Sequence, residues 1–123
     1  MAVKVVDASA LAALVFLEPD GDAIVQALED HELHAPTLVR YEIANVARTK
    51  IRGHPDSQPE IEAQLAALSR LDITLHDLDA AALLAAAIAA DLTAYDAAYL
   101  WLARALSAEL VTLDERLQRA SVP

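Results

Sequence analysis

The chain has 123 residues, enough for one domain with a core of its own, and 56% of them are hydrophobic. Only 4% are aromatic and none is cysteine, so the core must come from Ala, Leu, Val and Ile, and thiolate zinc sites, disulfides and cysteine nucleophiles are excluded. A net charge of −10 argues against a general nucleic-acid binder, which carries a basic footprint, unless ions neutralise clustered acids or the cations are gathered locally.

Gathering does occur: Arg40, Arg48, Lys50 and Arg52 are four of the nine Lys and Arg. The first apolar run is interrupted by Lys4 and Asp7, unlike the core of a signal peptide. The uncharged run Ala80–Ala90 falls well short of the roughly 20 residues that span a bilayer. No membrane association and a cytoplasmic location are therefore expected.

In chain order, Val3–Val6 is a β-branched strand that ends in Asp7, and Ser9 can cap a helix over Ser9–Leu17. Pro19 and Gly21 stop that helix. A second helix spans Asp22–Asp30, and His31–Ala35 reads as a short strand. The helix Leu38–Arg52 places Leu38, Tyr41, Glu42, Asn45, Val46 and Thr49 on one face, where a glutamate is out of place as a mere surface residue. Residues 53–59 read as a loop by composition, with Pro59 in the first turn of a helix to Arg70. Ile73–Leu75 is a brief strand. The Ala/Leu/Ile helix Asp79–Ala90 is expected to be buried on most sides. Leu92–Asp96 opens the last long helix, to Ser107, and a closing strand Glu109–Leu113 leads to Asp114 and a final helix Glu115–Ala120. Strands alternating with helices predict parallel pairing in an α/β, three-layer α/β/α sandwich with four to five short strands, over residues 1–123 as a single domain.

Four acids draw notice: Asp7 and Asp114 at strand ends, Glu42 and Asp96 near helix starts on the same sheet edge. Each alone has a plain structural use. Asp7 and Asp114 can cap helices, Thr93-x-x-Asp96 resembles a capping box, and Glu42 can face solvent. Together they crowd negative charge, which is costly unless protons or a cation compensate. Oxygen-only ligands suit Mg²⁺ or Mn²⁺ rather than zinc. Ser9 and Thr112 stand two residues from Asp7 and Asp114 and can orient those carboxylates. His31, His34, His54 and His76 form no ligand set by spacing, and His31 and His34 would face opposite sides of a strand.

The blocks Val6-Asp7-Ala8-Ser9-Ala10-Leu11, Tyr41-Glu42-Ile43-Ala44-Asn45-Val46, Leu92-Thr93-Ala94-Tyr95-Asp96-Ala97-Ala98-Tyr99 and Val111-Thr112-Leu113-Asp114-Glu115-Arg116-Leu117 resemble, in order and spacing, the signatures of the PIN domain. More narrowly the chain resembles VapC-type toxin ribonucleases of toxin–antitoxin pairs. The resemblance implies a PIN-like sandwich and a metal-dependent endoribonuclease with Asp7, Glu42, Asp96 and Asp114 as its catalytic acids. Asp7 and Asp96 would bind Mg²⁺ or Mn²⁺ directly, with Glu42 and Asp114 as further ligands. Ser9, Thr93, Thr112 and Asn45 would support them. It also implies an RNA substrate, a cognate antitoxin that threads an arginine into the acidic groove, and a homodimer through the helices around Leu38–Arg52 and Ile61–Leu68. Asp91-Leu92 departs from the Gly-containing turn common before the third block.

The stripe of Arg48 and Arg52 is open between RNA contact and a solvated face. Tyr95, Tyr99 and Trp101 are expected to pack or to form a protein interface rather than stack on bases. Two other functions compete. A non-catalytic PIN-fold binding module would use the same scaffold. An aspartate-dependent phosphatase or phosphotransfer domain would need a second acid beside Asp7 and a lysine near the site, and Lys4 and Lys50 are the only lysines.

Overall fold

A computed structural model describes residues 2–122. Its elements are β1 (Val3–Val6), α1 (Ala8–Val15), α2 (Gly21–Leu28), β2 (Glu32–Pro36), α3 (Leu38–Gly53), α4 (Gln58–Ala66), β3 (Ile73–His76), α5 (Ala80–Ala90), α6 (Ala94–Ala105), β4 (Glu109–Val111) and α7 (Glu115–Ser121). Short 3-10 turns at Pro55–Ser57 and Ala67–Arg70 flank α4.

All four strands pair in parallel in the order β3-β2-β1-β4. Parallel neighbours need a crossover, and helices supply each one. The chain lays β2 and β3 to one side of β1, then returns to place β4 on the other side. That reversal makes the C-terminal ends of β1 and β4 the topological switch point, where open α/β sheets form their crevice.

Helix α6 packs on β1, β2 and β4 and carries α5 on its flank, while α3 packs on β2, α1 and α4, with α2 against α1. These are the helical layers of the expected sandwich. The core is aliphatic as composition requires: Val5, Val6, Leu11, Val39, Ile43, Leu100, Leu102 and Leu117 are buried, and Tyr99 is the largest buried side chain. Close helix contact needs a missing Cβ at one point. A Cβ on Gly21 would lie 2.8 Å from the Ala13 carbonyl oxygen, so α1 and α2 pass at a distance only glycine permits.

Several expectations are corrected. Residues 53–59 are mostly helical turn rather than open loop, because Pro55 and Pro59 both start helical turns. His31 precedes β2 instead of belonging to it, its Nδ1 lying 2.6 Å from the Glu29 carbonyl oxygen. Helix α5 is not buried on most sides. Ala87 is its one buried residue, whereas Leu84 and Ile88 are 60% and 73% exposed. Alanine on every face leaves such a helix no preferred inner side, and its main contact is with α6. No single helix among the described residues is long and apolar enough to cross a membrane; α5 and α6 meet at a 98° bend.

Candidate active site

Asp7 leaves β1 still in the ladder, its N–H donating to the Val111 carbonyl of β4 at 3.2 Å. Its side chain is only 5% exposed. One oxygen, Oδ1, accepts from the Ala10 N–H at 3.0 Å and from the Ser9 hydroxyl at 2.7 Å. The other, Oδ2, accepts from the Thr112 hydroxyl at 2.5 Å. Asp7 is therefore the N-cap of α1. Ser9, expected as the cap, lies inside the helix instead, because α1 begins at Ala8. A carboxylate offers about four acceptor positions, and these three donors leave Asp7 one.

Ser9 and Thr112 join the two strand ends. The Ser9 hydroxyl oxygen accepts from the Leu113 N–H at 2.9 Å, and the Thr112 hydroxyl oxygen accepts from the Asp114 N–H at 3.0 Å. Asp114 in turn caps α7, accepting from the Leu117 N–H at 3.1 Å. Both strand-end acids thus do the structural work that makes them look plain, and both remain at the switch point.

Asp96 enters from α6. Thr93 Oγ1 accepts from the Asp96 N–H at 3.1 Å, half of the expected capping box, which sets the first turn and leaves the carboxylate at the sheet edge. Glu42, one turn into α3, is met by a donor that sequence reading did not supply: the Tyr99 hydroxyl donates to Glu42 Oε1 at 2.5 Å. The signal was present in the spacing, since Tyr99 follows Asp96 by one helical turn. Among the tyrosines, Tyr99 does pack in the core, whereas Tyr41 and Tyr95 are 72% and 64% exposed.

The acids interact electrostatically. Burial pushes the Asp7 carboxyl above its ordinary range; the hydroxyls of Thr112 and Ser9 and the Ala10 N–H pull it down, and the Asp114 charge pushes it up. Glu42 is raised by burial and by the charges of Asp96 and Asp7, against the pull of the Tyr99 hydroxyl. Asp96 is raised by burial and by Asp114 and Asp7, and lowered by the Arg116 guanidinium and by the Thr93 hydroxyl. The Tyr99 hydroxyl is driven far up by burial and by Glu42, so it stays a donor.

Arg116 is the second residue that sequence reading passed over, although it stands two positions after Asp114. Its guanidinium donates to the Asp91 carbonyl at 2.7 Å. Asp91 has φ +54° at the C-terminus of α5, the left-handed conformation that glycine adopts freely and Asp tolerates. The departure at Asp91-Leu92 therefore keeps the turn and offers Arg116 an anchor.

Asn45 lies in the groove beside Glu42, with Ala8, Ser9, Leu38, Tyr41, Val46 and Tyr95. Arg48 and Arg52 are exposed on α3 and are not among the residues lining that groove. Neither lysine is near the acids: Lys4 Nζ donates to the Ala27 carbonyl at 2.6 Å, and Lys50 pairs with Glu18 at 2.9 Å. A phosphotransfer site of the kind considered above lacks its lysine.

Among the described residues no three acid or histidine side chains close on a single point as a finished metal cage. The donor set nevertheless fits a hard divalent cation. It consists of carboxylate oxygens, one acceptor position on Asp7 is open, and burial, with a smaller part from mutual repulsion, raises the carboxyls in the way an opposite charge would relieve.

Comparison with known proteins agrees with this geometry. The PIN domain family model matches residues 4–123. A VapC ribonuclease of Mycobacterium bovis (Mb0985) and ribonuclease VapC9 of Mycobacterium tuberculosis are each 39% identical over 113 residues, 92% of this chain and 87% of theirs. The crystal structure of PAE2754 from Pyrobaculum aerophilum is similar with a TM-score of 0.79 at 27% identity, over 98% of this chain and 85% of that one. The chain belongs to the PIN domain family, and within it to the VapC type.

Proposed function

We propose that the protein is a metal-dependent endoribonuclease, the toxin of a toxin–antitoxin pair, working as a single domain over residues 1–123 in the cytoplasm. The observation that carries this reading is the electrostatic coupling of Asp7, Glu42, Asp96 and Asp114 at the switch point of the sheet. Similarity to ribonucleases named VapC supports RNA as the substrate.

Asp7 and Asp96 would hold Mg²⁺ or Mn²⁺, with Glu42 and Asp114 as further ligands. When bound, the ion supplies charge to the phosphate oxygens and acidity to a water. The chain's own part is to orient and to move protons. Ser9 and Thr112 lock the Asp7 carboxylate in one rotamer. Tyr99 occupies Glu42 Oε1 and leaves Oε2 free to take a proton from the attacking water. Thr93 sets the first turn of α6 and thereby the place of Asp96, and Asn45, in the groove with Glu42, would donate to a phosphate. Arg116 would offer a cation to the scissile phosphate, and Arg48 and Arg52, exposed on α3 outside the groove lining, would contact a longer strand.

The antitoxin would be a basic segment whose arginine pairs with these carboxylates. A homodimer would use the apolar cavity of about 450 Å³ between α3, α4 and β3, lined by Val39, Ile43, Leu65 and Leu68. Ala66→Arg at the exposed rim of that cavity should convert a dimer to a monomer in sedimentation.

The deciding experiment is RNA cleavage by purified protein with Mg²⁺ or Mn²⁺, comparing wild type with Asp7→Asn and Asp96→Asn. Equal rates in all three, or no cleavage by wild type across varied RNAs, would end the proposal.

A further inference from the structure

Two histidines that spacing kept apart are brought together by the sheet. His34 on β2 and His76 at the end of β3 lie on the face toward α6, with His34 Nδ1 2.8 Å from His76 Nε2. Facing nitrogens at that distance share one hydrogen, and the surroundings decide whose it is. His34 Nε2 is buried without a hydrogen-bond partner, and Glu32 Oε1 lies 3.8 Å from it. A bare lone pair there would face a carboxylate. On that ground we assign the hydrogen of His34 to Nε2, which makes His76 Nε2–H the donor to His34 Nδ1. This tautomer leaves Nδ1 of His76 as an acceptor.

His76 lines a cavity of about 220 Å³ with Pro36, Leu38, Leu78, Leu83, Tyr95 and Ala98. Apart from His76 and Thr37 its wall is largely apolar. Leu38 and Tyr95 also line the groove that holds Glu42 and Ser9, so the cavity adjoins the acidic groove. Tyr95 is 64% exposed at their junction and is the residue before Asp96. Tyr95 thus stands with the acidic groove on one side and the cavity on the other.

We propose that this cavity is a nucleobase subsite: a base splayed out beside the scissile phosphate stacks on Tyr95 and gives an N–H to Nδ1 of His76. The inference rests on the nuclease reading for its choice of ligand. Single-stranded RNA is read in this manner, by stacking on aromatic rings and by hydrogen bonds to base edges. Tyr95 supplies sequence-tolerant affinity, and the acceptor on His76 discriminates among bases according to where each carries its N–H.

The test is a titration of ¹⁵N-labelled full-length protein in Mg²⁺ with each of the four ribonucleoside 5′-monophosphates and with ribose 5-phosphate, followed by NMR. Expected are amide shifts at His76, Leu83, Tyr95 and Ala98 with the nucleotides but not with ribose 5-phosphate, and unequal affinities among the four bases. Tyr95→Ala, at an exposed position, should weaken all four by about tenfold. His76→Gln should narrow the spread among bases by several-fold and leave the average affinity nearly unchanged. Shifts confined to the acids, shifts equal for ribose 5-phosphate, a base ranking untouched by His76→Gln, or a cavity that responds only to an apolar peptide would each overturn the subsite. None of these readouts needs cleavage. Wild type that cuts RNA without cavity shifts defeats the subsite alone, and wild type that cuts no RNA defeats the nuclease reading while the titration still decides the subsite.

Discussion

The Tyr99 hydroxyl donates to Glu42 Oε1 at 2.5 Å across 57 positions of sequence, tying α6 to α3 beside the acidic groove. The bond fixes one glutamate rotamer and pulls the Glu42 carboxyl down against the burial that raises it.

Tyr99→Phe keeps the ring in the core and removes only the donor. Loss of a hydrogen bond to a charged group costs about 1.5–3 kcal/mol, readable as a lower denaturation midpoint with an unchanged m-value. Without the hydroxyl the Glu42 carboxyl rises further. The acid limb of the cleavage profile should then move to higher pH, with a larger loss of rate at pH 6 than at pH 8.

Asp96→Asn removes one of the repelling charges. The folded-state carboxyl lies above its ordinary value of 3.8, so the native state binds more protons than the unfolded chain between the two. Its stabilising effect is complete below the unfolded value and is lost as pH rises through the folded one. At pH 7 the variant should melt higher than wild type, by about 2 °C, and the gap should close toward pH 4. Adding Mn²⁺ should raise the wild-type melting temperature more than the variant's, while cleavage by the variant falls at least about a hundredfold.

Thr112→Val conserves shape and deletes a hydroxyl that donates to Asp7 and accepts from the Asp114 N–H. Two buried or half-buried polar groups lose a partner, at a cost of about 1–3 kcal/mol. The Asp7 carboxyl, which this hydroxyl holds down, should rise. Thermal melts and the pH dependence of cleavage measure the two effects separately. An unshifted acid limb would show that Thr112 does not tune Asp7.

Arg116→Gln releases the Asp91 carbonyl and removes the cation that lowers Asp96. Arg116 is exposed, so stability should change by no more than about 0.5 kcal/mol. Cleavage should fall about tenfold at neutral pH, with a steeper loss in acid, whereas the pair Arg48→Gln and Arg52→Gln should mainly reduce the salt dependence of RNA binding.

Much of this protein is legible in local pattern. Val3–Val6 ending at Asp7, Thr93 before α6, and Glu109–Val111 leading to Asp114 are short-range signals, since propensity and capping act over a few residues. The 3-10 turn at Pro55–Ser57 and the exposure of α5 were not legible. Two prolines read equally as loop, and an alanine-rich helix carries no directional moment to reveal its buried side. Asp7 as cap in place of Ser9 turned on a one-residue difference in where α1 begins.

The sequence by itself determined the strand ends, the helix starts and the four acids in order, because those depend on neighbours along the chain. Only the tertiary structure decided that Ser9 and Thr112 share one carboxylate, that Tyr99 restrains Glu42, that Arg116 reaches the turn at Asp91, and that His34 meets His76. Each of these pairs is at least 25 positions apart except Ser9 with Asp7. Such contacts arise from strand order and helix crossing, which parallel pairing sets over the whole chain and no local window contains.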